Sequence, residues 1–238
     1  MTEEIQLGFD GFPKSKKAKP AKPKPIADLP DLDSFDYYLV SVSGGKDSQA
    51  CANLAIQRWG KERVVLVHAL VEPEETPMEE LIWESVENIE HLKYLEDLWQ
   101  MPIHRVNVLN TDSTGISKEA SFVMPDAELK PYMGLTNIVL NRGYMPGGGF
   151  PFCTQSKSMA INRFASRYSN PIQIIGQRAE ESLKRAKMPE YEHDVKYHRY
   201  IYRPIHKWSG KQVLDYLEAL DQKLNPVYAL GLTRGGQL

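Results

Sequence analysis

The sequence predicts an α/β fold, a doubly wound and mainly parallel sheet within one domain. Three observations predict it. Short apolar runs at 37–42, 63–68 and 171–176 read as strands covered on both faces, because a strand with one wet face alternates polar and apolar residues. Segments with helical spacing separate these runs, and a strand–helix–strand crossover joins parallel neighbours with a right-handed turn. The first strand also runs through a glycine turn straight into a helix.

Length and composition narrow the function classes. The chain has 238 residues, 42% of them apolar, enough for a sizeable core. Its net charge of −2 excludes a general basic field, so any nucleic-acid contact must be a local patch. The two cysteines, Cys51 and Cys153, exclude a disulfide framework and a four-cysteine iron–sulfur cluster built by this chain alone, and they fit a reducing compartment. No apolar run reaches membrane-spanning length, and Glu3 and Glu4 precede no hydrophobic signal core. A cytoplasmic protein with no membrane partner is expected.

Residues 1–33 carry Lys14, Lys16, Lys17, Lys19, Lys22 and Lys24 interleaved with Pro20, Pro23 and Pro25, which reads as a flexible tail. It is either a solvated tail or a basic arm for a nucleic acid or a protein partner. The domain proper is expected over 34–238. Strand 37–43 comes first, then a helix over 47–58 that turns Ala50, Leu54 and Ala55 inward, with Cys51 as a small core residue. Strand 63–68 ends at His68 and Ala69. Ligands of open α/β sheets bind beyond the carboxyl ends of strands, so both fall beside the first loop, although His68 also reads as a buried, satisfied histidine.

A long helix is expected over 77–100, with Pro77 in its first turn, Glu79 and Glu80 at its positive end, and a stripe of Leu81, Ile82, Val86, Ile89, Leu92 and Leu95. Strand 102–108 follows. Periodicity then fades over 110–152, where Gly115, Pro125, Pro131, Gly134, Gly143 and Gly147 to Gly149 suggest a lid-like insertion. A helix over 155–168 leads to the fourth strand. Near the end, Ser209 is positioned to cap a helix reaching Leu220, with Trp208 as its hydrophobic staple.

The chemistry concentrates in Ser43-Gly44-Gly45-Lys46-Asp47-Ser48. Glycines let a turn bring its backbone N–H groups against ligand oxygens, the helix behind it aims its positive end at the same point, and Lys46 adds a cation. Asp47 would repel phosphate, so it caps the helix, holds Mg²⁺, or does both. A second constellation, Gly176-Gln177-Arg178-Ala179-Glu180-Glu181-Ser182-Leu183-Lys184-Arg185, follows the fourth strand. If that strand lies beside the first, Arg178 and Arg185 bring guanidinium forks to a bound anion and Glu181 orients an arginine.

The first loop is not a Walker sequence. It resembles the PP-loop, Ser-Gly-Gly-x-Asp-Ser, of the ATP pyrophosphatase and phosphoadenylyl-sulfate (PAPS) reductase superfamily, matching at all six positions. Gly176-x-Arg178-x-x-Glu181-Ser182-x-x-Arg185 is similar to a PAPS reductase pattern at the same place. Cys153-Thr154 with Lys157 resembles that family's Cys-Thr-x-x-x-Lys segment with one residue less spacing. Arg203-Pro204-Ile205, Trp208-Ser209 and Asn225-Pro226-Val227-Tyr228 with Gly231 resemble its closing pattern.

The resemblance covers about 37–236. It implies a five-stranded, adenine-nucleotide alpha hydrolase-like sheet of order 3-2-1-4-5 and places adenine near the second strand's end, where relatives often carry an acidic residue and this chain has Leu70. No cysteine follows Cys153, which disfavours the reductase chemistry of the family's cysteine-bearing tail and the iron–sulfur cluster of other relatives. The intact loop favours ATP. ATP and Mg²⁺ are therefore expected at Ser43, Gly44, Gly45, Lys46, Asp47, Ser48, His68, Ala69, Gly176 and Arg178, with Lys46, Lys157, Arg178 and Arg185 offsetting charge as an acceptor is adenylated. Cys153 either delivers sulfur or is a bystander. A non-catalytic nucleotide-binding subunit, or PAPS reduction with a partner's cysteine, is the alternative.

Overall fold

The computed structural model describes residues 29–73, 76–110, 116–143, 152–195 and 198–229. In chain order these form β1 (Tyr37–Ser41), α1 (Lys46–Trp59), β2 (Val64–Leu70), α2 (Val86–Trp99) and β3 (Ile103–Asn107). Then come α3 (Lys118–Val123), α4 (Asp126–Leu129), α5 (Leu135–Arg142), α6 (Phe152–Ala165), β4 (Pro171–Ile174), α7 (Leu183–Ala186), β5 (Tyr191–Asp194), β6 (Arg199–Tyr202) and α8 (Gly210–Ala219).

The strands form one sheet of order β3-β2-β1-β4-β6-β5. All neighbours are parallel except the β5–β6 pair. The expected parallel order is present, with β6 as its fifth member. The expected count of five strands is corrected to six, because β5 adds an antiparallel edge. Its sequence, Tyr191-Glu192-His193-Asp194, lacks the apolar run that marks the inner strands.

Successive side chains of a strand point to opposite faces, and both faces here are covered. Tyr38, Val40 and Leu66 pack with Ala50, Ala55, Leu92, Leu95, Val213 and Leu217 from α1, α2 and α8. Leu39 and Val67 pack on the other face with Phe164 and Ala165 of α6. Cys51 is fully buried in the first of these layers, as its helical position predicts.

Two boundaries differ from expectation. The helix expected from Pro77 begins at Val86, capped by the Ser85 hydroxyl accepting from Asn88 N at 3.1 Å. Ahead of it Pro77 leads a short 3-10 turn over Met78–Glu80, and the Glu72 carboxylate then takes the Ile82 and Glu84 amides at 2.6 and 3.2 Å in place of a continuing helical ladder. Residues 30–33, read with the tail, are tied to the domain: Tyr191 Oη donates to Pro30 O at 2.8 Å and Tyr38 Oη to Leu32 O at 2.9 Å. The lysine-rich part of the tail lies outside the described residues. Within the insertion, 116–143 folds into short helices, while the triple glycine also lies outside the described residues.

The closing helix follows expectation. Ser209 and Gln212 form a reciprocal capping box, and Trp208 packs edge-on against Tyr216 with ring centroids 5.3 Å apart. Among the described residues no helix is long and apolar enough to cross a membrane.

Candidate functional site

β1 and β4 are adjacent, with the chain passing to β2 on one side and to β6 on the other. This is the point where connections diverge and leave a crevice beyond the strand ends. The loop from Ser43 to Ser48 fills one wall of it. Gly44 has φ +81°, a conformation open to glycine at little cost. Ser48 Oγ donates to Gly45 O at 2.8 Å and accepts from Ser43 N at 3.1 Å, so the loop closes on its own serines. The Gly45 amide meets Ser43 Oγ only at 3.5 Å.

The other wall is the turn after β4. A Cβ on Gly176 would lie 2.8 Å from the Asp47 carbonyl carbon and 3.0 Å from Ser48 N, so glycine lets this turn pass against the first turn of α1. The next residues carry charge into the crevice. Arg178 Nε donates to Asp47 Oδ1 at 2.7 Å, while Lys46 Nζ lies 3.2 Å from Asp47 Oδ2. Arg178 also pairs with Glu180, whose Oε1 accepts from Gly210 N at 2.6 Å at the start of α8. One carboxylate thus gathers the loop's lysine and the turn's arginine.

The titration behaviour follows from these contacts. Burial works against the Arg178 guanidinium, but Asp47 and Glu180 outweigh it and hold it more firmly charged than a free arginine. The Gly210 amide, then Arg178, holds the Glu180 carboxyl below the usual range. Burial works against ionised Glu181, yet the Arg178 amide and the Arg185 side chain keep its carboxyl below that range as well.

A bracket from the C-terminal part of the chain grips the loop. Asn225 Nδ2 donates to Gly44 O at 3.1 Å and to Asn88 Oδ1 at 2.8 Å, and Lys46 N donates to Tyr228 Oη at 3.1 Å. Asn88 Nδ2 donates to Glu84 Oε1 at 2.9 Å. The sequence pattern had marked Asn225 and Tyr228 without a role. Glu84 and Asn88 carry no local motif, and only the fold brings them to the loop.

The expected site residues divide. Ser43, Gly44, Gly45, Lys46, Asp47, Ser48, Gly176 and Arg178 converge. Arg185 turns to Glu181, one helical turn away. His68 is 3% exposed, with Nδ1 2.7 Å from Val42 O and Nε2 3.6 Å from Glu84 Oε2, so its ring is held inside the domain. Lys157 is half-buried on α6, across the sheet from α1. Ala69 and the half-buried Cys153 lie in an apolar cluster with Val71, Val108, Leu135 and Ile138. A cavity of about 400 Å³ opens at the end of β2, lined by His68, Leu70, Leu81, Glu84, Ile89 and Leu92 among others.

Among the described residues no group of three or more acidic, histidine or cysteine side chains is arranged to hold a metal ion. Mg²⁺ characteristically takes one or two carboxylates together with substrate phosphates and water. Asp47 is the carboxylate at the loop, and each of its oxygens already faces one cation, Arg178 or Lys46. That donor set fits an ion that arrives on a phosphate chain better than one held by protein alone.

Comparison with known proteins bears on the same region. Residues 147–237 match the phosphoadenosine phosphosulfate reductase domain family. A protein of Escherichia phage 186, described as an uncharacterized 37.8 kDa protein in the gpa 5′ region, is 24% identical over 221 residues. The alignment covers 83% of this chain and 65% of that protein, so the chain spans just under two thirds of that relative's length. Among solved structures, PAPS reductase from Candida auris, in a phosphate complex, superposes with a TM-score of 0.54 at 11% identity, covering 86% of this chain and 82% of that one. NH3-dependent NAD synthetase from Campylobacter jejuni is less similar, with a TM-score of 0.46 at 13% identity over 82% of this chain and 67% of that one. The matched segment holds the turn after β4 and the closing Asn225 to Tyr228 pattern, so the chain is similar to the phosphoadenosine phosphosulfate reductase domain over residues 147–237 and shares the fold of the Candida auris enzyme.

Proposed function

We propose that this chain binds ATP at the loop Ser43 to Ser48 and cleaves it between the α and β phosphates, adenylating an acceptor. The observation that carries this reading is the convergence of Lys46 and Arg178 on Asp47, between a loop and a turn whose glycines, Gly44 and Gly176, leave no room for a Cβ. Such a site offers backbone donors and two fixed cations to a phosphate chain, which is where positioning and electrostatics do most in phosphoryl-type transfer. An acceptor oxygen attacks the α-phosphorus and loses its proton to solvent, while the bond to the β-phosphate oxygen breaks and pyrophosphate leaves. Lys46 and Arg178 offset the charge that grows on the phosphoryl oxygens. Mg²⁺ on the triphosphate, with Asp47 as its protein carboxylate, would neutralise the departing pyrophosphate.

A second reading draws on the same cluster. Asp47 and Glu180 already balance Lys46 and Arg178, which suits a subunit that holds a nucleotide without reacting it. Mixing the protein with ATP, Mg²⁺ and candidate acceptors separates the two: pyrophosphate release supports catalysis, and saturable ATP binding without release supports the binding subunit.

Lys46→Ala is expected to weaken ATP binding by about 1.5–3 kcal/mol, the worth of a charge-assisted contact. Its melting temperature should stay near the parent's, since the side chain reaches into the crevice and not the core. Unchanged affinity by calorimetric titration would remove the loop from the nucleotide site.

Cys153→Ser tests sulfur delivery. A hydroxyl does not replace a thiolate nucleophile. The packing of Cys153 among Ala69, Val108 and Leu135 supports a bystander, so ATP binding and pyrophosphate release should remain within about tenfold of the parent. Complete loss of turnover with normal ATP binding would make the thiol the reacting group.

A further inference from the structure

We infer that Asn225 and Asn88, backed by Glu84, are positioning residues for the phosphate loop: they hold the Gly44 carbonyl inward so that the Gly45 N–H faces the ligand side. The inference rests on the nucleotide-site reading above. It deepens that reading by naming what sets the loop's donors.

In a trans peptide the carbonyl and the following N–H point in opposite directions. Anchoring Gly44 O therefore also aims Gly45 N. Asn225 Nδ2 supplies the anchor at 3.1 Å, and the same nitrogen donates to Asn88 Oδ1 at 2.8 Å. Neither amide is free to flip. Asn225 Oδ1 accepts from Val227 N at 3.1 Å, which forces its nitrogen toward Gly44. Asn88 Nδ2 donates to the Glu84 carboxylate at 2.9 Å, which forces its oxygen toward Asn225.

The chain of bonds is dry. Asn88, Asn225 and Glu84 are 0%, 1% and 5% exposed, so water does not stand in for a lost member. Loop and bracket also interlock sterically, because a Cβ on Gly44 would lie 2.0 Å from Asn88 Oδ1. Among the described residues the anchored Gly45 amide has the 3.5 Å contact to Ser43 Oγ to give up when a phosphate oxygen arrives.

The test uses hydrogen exchange by mass spectrometry on the ligand-free protein and calorimetric titration with ATP and with adenosine. In Asn225→Ala and Asn88→Ala, exchange of the peptide covering 43–48 is expected to rise at least tenfold while that of β4 stays at the parent rate. ATP affinity should fall at least tenfold with adenosine affinity held. Glu84→Gln keeps an acceptor for Asn88 Nδ2 and should hold both readouts near the parent values. If Asn225→Ala does not fold, Asn225→Ser retains a hydroxyl acceptor for Val227 N but no donor that reaches Gly44, and should behave as the alanine variant is expected to.

Unchanged loop exchange in a folded variant overturns the inference. A uniform rise across the sheet overturns it too, since that marks a merely structural network. If the parent itself binds no ATP, the nucleotide reading fails, and loop exchange still decides whether these residues position the loop.

Discussion

Replacing Gly44 by alanine is expected to cost about 2–5 kcal/mol of stability and to abolish detectable ATP binding. Two effects add. At φ +81° an alanine Cβ is strained by about 1–2 kcal/mol. That Cβ also displaces the Asn88 side chain, whose oxygen would be 2.0 Å away, and breaks buried hydrogen bonds worth about 1–3 kcal/mol. Against a typical total of about 5–15 kcal/mol, this is a large share for one methyl group. Urea unfolding of the single variant and of Gly44→Ala/Asn88→Ala separates the parts. The double variant should recover the steric cost and keep the strain, and strictly additive losses would show that the two residues do not interact.

The second large effect is a loss of stability on acidification. His91 is 4% exposed, and burial alone pushes its imidazole down to about 4 from an ordinary value of 6.5. Below pH 6.5 the unfolded chain takes up a proton at this residue that the folded chain refuses until about pH 4. Stability is therefore complete above pH 6.5, falls as pH drops through that window, and levels off below it. The span corresponds to ~3 kcal/mol. In His91→Gln, which keeps a polar group facing Gln49, the difference in unfolding free energy between pH 7 and pH 4 should shrink by about that amount. An unchanged difference would place the acid sensitivity on other groups.

Much of the sheet was legible because its inner strands are apolar on both faces and its helices carry stripes. β1, β2, β3 and β4 could be read that way, and their order followed from the loop's resemblance. β5 could not, since an edge strand with one open side tolerates glutamate, histidine and aspartate. The helix at Pro77 was misread for a related reason: Leu81 and Ile82 extend the stripe of α2 in sequence, but Glu72 supplies the acceptors that a helical turn would have supplied. Ile82 ends 64% exposed.

The candidate site was legible where its residues are contiguous. Ser43 to Ser48 and Gly176 to Arg178 are local patterns, and the fold brings them together across the crevice. Arg185 had the right chemistry but a nearer carboxylate, Glu181, which captures it within one turn. The Glu84–Asn88–Asn225 chain was illegible because hydrogen-bond partners 137 residues apart leave no mark on either neighbourhood.

That sequence separation sets an order of events on the ribosome. β1 lies in the middle of the finished sheet, yet the strand that covers its second edge begins at Pro171, and the side chain that anchors Gly44 is Asn225. At about 5–20 residues per second, the emerging chain keeps one edge of β1 unpaired for on the order of ten seconds. Throughout that interval the chain carries the Ser43 to Ser48 sequence without the contacts that shape it. Nascent chains halted before β4 are therefore expected to be chaperone clients, and the Ser43 to Ser48 loop takes its anchored shape only after Asn225 has been translated.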